Sequence, residues 1–184
     1  FGPADVAREI AAVVRDQLAP YLTHRTTGRP HVVLKLAASL DGRTAAPDGT
    51  SRWITGDAAR ADAHRLRAES DAVLVGAGTV RADDPELTVR HVDGRDPLRV
   101  VLGHAPPGAR VHPALELEGD LGTVLDELGA RDVLQVLVEG GAELAASLLT
   151  GGHVDALAVF IAPVVLGGGR PLAAGEGVAR IADG

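Results

Sequence analysis

The feature that most limits the fold is a set of short apolar runs held apart by segments of helical length. The runs are Val32-Val33-Leu34 with Leu36, DAVLVG at 71–76, Leu98–Leu102, VLQVLVEGG at 133–141, and Val154–Leu166. They are apolar at successive positions rather than at every second one, the pattern of strands covered on both faces. Asp57–Glu69, Asp120–Leu128 and a segment from about Ala142 lie between them with helical spacing, Leu121, Val124, Leu125 and Leu128 sharing one face. Strands that alternate with helices predict an α/β fold, a mostly parallel sheet flanked by helices.

Length and composition narrow the class. A chain of 184 residues suffices for one substantial core. A net charge of −7, with one tryptophan, one tyrosine and two phenylalanines, excludes a general nucleic-acid surface. No apolar run reaches membrane-spanning length and no basic segment precedes an apolar leader, which predicts a soluble, cytoplasmic protein. Cysteine is absent, so disulfides, thiolate nucleophiles and sulfur-ligated zinc are excluded, and the seven histidines have no ligand spacing, so no metal is expected. The chain starts at Phe1 rather than methionine, as a piece of a longer protein would.

Residues 1–29 read as a helix and linker ahead of the main domain, 30–184. Val6, Ile10, Val13, Val14 and Leu18 form the apolar stripe of a helix over Asp5–Leu18. Pro20 ends or bends it, and Thr23–Arg29 reads as a polar connector.

The densest chemistry lies between His31 and Gly56. Lys35 interrupts the first buried run, and a buried ammonium needs a partner or a route to the rim. Asp41-Gly42 turns the chain, Pro47-Asp48-Gly49 turns it again, and Ser51, Arg52 and Trp53 follow. Thr55 is the expected N-cap of the next helix, on which Arg60, His64 and Arg67 share a cationic face, either functional or merely solvated. Gly76-Ala77-Gly78-Thr79 after the second strand suits either a tight turn or a close approach of backbone to a ligand. Asp83-Asp84-Pro85 reads as a turn. Gly129 reads as a helix stop, and Glu139 ends a strand beside Gly140-Gly141 at a helix N-terminus, a place for a cap or an anion site.

Read in order, LKLAASLDGRTA, SRWITG, LRAESDAVLVGAGTVRADDPELTVR, LVEGGAELAASLL and APVVLGGGRPL resemble the reductase domain of the bifunctional riboflavin biosynthesis deaminase-reductase. The H-x-E and P-C-x-x-C pattern of the accompanying zinc deaminase is missing. The resemblance implies a dihydrofolate-reductase-like fold, a homodimer, NADPH as cofactor and a deaminase fused upstream or acting as a separate chain. It also implies reduction of 5-amino-6-(5-phosphoribosylamino)uracil to the ribitylamino product, with hydride delivered to C1′ of the ring-opened sugar. By the same resemblance Lys35, Asp41 and Glu139 are catalytic. Ser51, Arg67, Leu87, Arg90 and Glu139 contact the substrate, and Ala37, Trp53, Thr79, Asp83, Gly140, Gly141 and Ser147 contact the cofactor. Relatives carry a hydroxyl-rich segment where this chain has Ala109–Leu117, and they continue past Ile181-Ala182-Asp183, so a shortened cofactor wall and a missing closing edge are expected. Two alternatives share the fold: a reductase of a pterin-like heterocycle, and a non-catalytic binding or dimerisation module.

Overall fold

The structure is a computed structural model that describes residues 3–50 and 56–174, with the backbone alone for 3–8 and 10. Ser51, Trp53, Thr55 and the expected closing edge at Ile181-Ala182-Asp183 lie outside the described residues. Two helices, α1 (Pro3–Gln17) and α2 (Ala19–Thr27), lead into β1 (His31–Ser39) and β2 (Arg43–Ala45). Then come α3 (Asp57–Ala68), β3 (Ala72–Gly76), α4 (Ala77–Asp83), β4 (Leu98–Leu102) and β5 (Leu115–Leu117). The chain continues through α5 (Leu121–Ala130), β6 (Gln135–Val138), α6 (Ala142–Thr150), β7 (Ala156–Ala162) and β8 (Arg170–Pro171).

Six strands form one sheet in the order β5-β4-β3-β6-β1-β7, every neighbouring pair parallel, and β2 and β8 form a small antiparallel pair. This is the α/β, mostly parallel sheet that the apolar runs predict. On one face, Val32, Leu34, Leu74, Val100, Val136 and Val138 pack under α5 and α6 through Val124, Leu125, Leu128, Ala145 and Leu148. The other face packs Val33, Val73, Val75, Val101 and Leu137 under Leu66 of α3 and Ala77 and Val80 of α4. Carboxylates tie down the strands' starting ends: Asp71 accepts from the backbone N–H groups of Leu134 and Gln135, and Asp155 from that of Val32.

The chain runs leftward from β3 to β4, whereas β6 continues to β7 on the far side of β1. The strand order therefore reverses between β3 and β6, and open parallel sheets bind ligands outside the carboxyl ends of the strands at such a point.

Four local expectations are corrected. Thr23–Arg29 is largely helix: Pro20 sits in the first turn of α2, where its missing N–H is harmless, and Gly28 caps the other end at φ 75°. Gly129 does not stop α5, which runs to Ala130. It is the point where the Gly28 carbonyl presses in, 1.8 Å from where a Cβ on Gly129 would stand. The cap of α3 is Gly56 in extended conformation, with no side-chain bond. β7 covers only Ala156–Ala162, and the longest strand among the described residues is β1 with nine residues. β7 is an edge whose apolar residues alternate in burial, leaving Leu157, Val159 and Ile161 exposed.

Candidate active site

The strand order creates the central contact. With β6 inserted beside β1 and Leu34 in register with Val138, Glu139 falls next to Lys35. Lys35 Nζ lies 3.8 Å from Glu139 Oε2 and 5.7 Å from the centroid of the Phe160 ring on β7. Arg67, from the last turn of α3, closes on the other side of the carboxylate as a fork, its Nε and Nη2 donating at 2.5 and 3.0 Å. The Glu139 and Arg67 side chains are each 12% exposed and Lys35 20%. Burial pushes the Glu139 carboxyl up, but the Arg67 hydrogen bonds and charge, joined by the charge of Lys35, outweigh it and hold it below the usual carboxylate range. Two cations thus share one carboxylate, leaving the cluster one positive charge in excess.

The segment after α4 is pinned against this cluster. Asp84 and Leu87 take left-handed conformations, φ 41° and 56°, and such strain persists only where surroundings enforce it. For Leu87 the enforcement is burial, since its side chain packs into the core under α4. Arg67 Nη1 donates to the Thr88 carbonyl at 3.0 Å, Asp96 accepts from the Val89 N–H at 2.7 Å, and His64 Nδ1 accepts from the Arg90 N–H at 3.2 Å. The Arg90 guanidinium, exposed, pairs with Glu86 and with Thr88 Oγ1. The expected cationic face on α3 is therefore not one. His64 is 5% exposed and sits edge-on to His91 with ring centroids 4.5 Å apart. Burial first, then the charge of Arg67, lowers its pKa to about 4 and keeps it neutral. Arg60 pairs with Asp57.

At the switch point a cavity of about 630 Å³ opens, lined on the α4 side by Gly76, Ala77, Gly78 and Arg81. Gly119 to Gly122 close it at the start of α5, and Glu143, Leu144 and Ser147 at the start of α6. A Cβ on Gly76 or Gly78 would meet nothing within 4 Å, so both leave backbone open to the cavity, and Thr79 Oγ1 lies 4.0 Å from where a Cβ on Gly141 would be. Asp120 caps α5 through the N–H of Thr123. Arg81 is the one arginine or lysine among the described residues that line the cavity.

Of the expected site residues, Lys35, Glu139 and Arg67 meet directly, and Arg90 and Leu87 lie on the segment pinned beside them. Ala37 is on β1 in register with Phe160. Gly141 and Thr79 face one another, and Gly140 packs on Leu144. Ser147 lines the cavity, although its hydroxyl donates to the Glu143 carbonyl one turn back. Asp83 is exposed at the end of α4. Asp41 has partners of its own: Leu166 and Gly167 donate their N–H groups to it and Ser39 its hydroxyl, bonds that lower its pKa to about 2. Arg81 and Phe160 were not singled out from the sequence. Arg81 carried one usable signal, its place one turn into a helix that opens on Ala77-Gly78. No three His, Cys, Asp or Glu among the described residues come together as metal ligands.

Residues 30–182 match the family model described as the RibD C-terminal domain. RibD of Mycobacterium tuberculosis H37Rv is 42% identical over 97% of this chain and 54% of its own length. The structure of RibD from Acinetobacter baumannii superposes with a TM-score of 0.83 at 34% identity, over 92% of this chain and 56% of that one. A diaminohydroxyphosphoribosylaminopyrimidine deaminase/5-amino-6-(5-phosphoribosylamino)uracil reductase from Thermotoga maritima superposes with a TM-score of 0.80 at 32% identity, over 89% and 53%. The chain spans about half the length of these relatives. Sequence and sheet agree over nearly all of this chain, with the dihydrofolate-reductase-like arrangement of strands, and it belongs to the RibD C-terminal domain family.

Proposed function

We propose that this domain reduces the ribosylamino group of 5-amino-6-(5-phosphoribosylamino)uracil to ribitylamino with NADPH, in riboflavin biosynthesis. The observation that carries this reading is Lys35 held 3.8 Å from a carboxylate that Arg67 keeps ionised, at the carboxyl ends of the strands and beside a glycine-lined cavity. A nicotinamide dinucleotide fits the residues present, because Gly76, Gly78 and Gly119 leave backbone room along the cavity and the helices α5 and α6 begin there. The bound nicotinamide supplies the hydride.

The chain's own residues do the rest. In the ring-opened substrate C1′ is bound to nitrogen as an imine; hydride adds to C1′, the C=N π bond breaks, and the nitrogen takes a proton. Lys35, charged beside Glu139, holds that proton at Nζ and polarises the reacting group before transfer. Glu139 keeps Lys35 in place and accepts from sugar hydroxyls. The Arg90 guanidinium, at the open end of the pinned segment, takes the phosphate, and the remaining N–H groups of Arg67 assist. Asp41 holds the turn at Leu166-Gly167, and Ser51 and Trp53 keep the substrate and cofactor roles that the resemblance implies. We assign the 2′-phosphate that distinguishes NADPH from NADH to Arg81, because it lines the cavity. The exposed apolar side chains of β7 support a homodimer.

Titrating the purified protein with NADPH and with NADH, following Trp53 as the only tryptophan, tests this reading. Saturable quenching with preference for NADPH is expected. No response to either nucleotide in a folded protein overturns it.

A further inference from the structure

Three consecutive residues, Thr88, Val89 and Arg90, have their backbone held by side chains, and the last tie comes from a histidine with no part in the proposed chemistry. His64 reaches Arg90 with Nδ1, which accepts only when it carries no proton. The ring is therefore the Nε2–H tautomer, and its edge-on contact with His91 fixes the plane. His64 stands one turn before Arg67 on α3, so one helix face grips both Glu139 and the backbone that carries Arg90. The segment also packs on this helix at Gly94, where a Cβ would come within 2.5 Å of the Ala68 side chain.

We propose that His64 is a positioning residue for substrate binding: by accepting the Arg90 N–H it sets where the Arg90 guanidinium stands relative to Arg67, and so the grip on the substrate's phosphate. This rests on the reading that Arg90 holds that phosphate. A lost tie would leave Arg90 free to follow Glu86 outward, weakening phosphate binding while Lys35 and Glu139 stay as they are.

The test compares His64→Leu, which removes the acceptor, with His64→Asn, whose amide oxygen sits near the place of Nδ1 and can still accept. In steady-state assays His64→Leu should raise the KM for the phosphoribosylaminouracil about tenfold, with kcat and the KM for NADPH within twofold of wild type, and His64→Asn should restore most of the loss. Amide hydrogen exchange at Arg90 should quicken in His64→Leu and remain slow in His64→Asn. Equal behaviour of the two variants, or a fall in kcat with KM unchanged, overturns the proposal. If the wild-type chain shows no turnover, the functional reading fails. The exchange rate at Arg90 then still decides whether His64 makes the tie, and an unchanged rate in His64→Leu overturns it.

Discussion

The two halves of the crevice are built in opposite ways. On the β1-β6 side every charge is committed: Lys35 and Arg67 to Glu139, and Glu139 to both, all half-buried or better. On the side bounded by α4, α5 and α6 the walls include the glycine backbone of Gly76, Gly78 and Gly119, and the side chains of Arg81 and Glu143 have no partner among the described residues. The first half is finished before any ligand arrives. A pre-set charge arrangement needs no reorganisation during reaction, which is what a site for chemistry requires. The second half offers N–H groups and a free cation, which is what recognition of a phosphorylated dinucleotide requires.

Lys35→Ala separates the halves most sharply. Turnover should fall by roughly 10²–10⁴, the range for a lost proton donor, while NADPH affinity measured by Trp53 quenching stays within about twofold. Equal losses in both would make the two sides one binding surface. Arg67→Ala attacks the committed side differently, leaving Glu139 buried with Lys35 as its one remaining cationic partner among the described residues. Unfolding in urea should show a loss of about 3 kcal/mol, and Arg67→Lys, which keeps the charge but not the fork, a smaller one. A stability unchanged by Arg67→Ala would show the cluster to be solvated rather than pre-set. The smallest effect belongs to the open side: Arg81→Ala should reduce the preference for NADPH over NADH about tenfold, roughly 1.4 kcal/mol, without altering the urea midpoint. An unchanged nucleotide ratio would place the 2′-phosphate elsewhere.

The same contrast explains what could be read from the residues alone. Apolar runs announce buried parallel strands, so β1, β3, β4 and β6 stood out, and a lysine inside one run and a glutamate closing another marked the chemistry. That Lys35 pairs with Glu139 was not legible, because it depends on β6 entering between β3 and β1, a choice of strand order that no local pattern encodes. His64 looked cationic beside two arginines. Its charge is decided by burial and by a loop more than twenty residues away. β7 looked long because its apolar run continues past Pro163, yet the amides of Leu166 and Gly167 are captured by Asp41 instead of a ladder. Gly129 carried the usual mark of a helix end, and only the approach of the Gly28 carbonyl shows it to be a contact.

That contact bears on where the protein can be divided. The family model begins at residue 30, yet the residues just before it are keyed into the sheet domain. Gly28 presses on Gly129, His24 Nε2 bonds the Gly129 carbonyl at 3.0 Å, and Arg29 pairs with Asp126 on α5. The border of the family model and the border of the packed domain are two different lines here. Anyone excising this domain at the first would leave behind, on the discarded piece, a helix that belongs to the second.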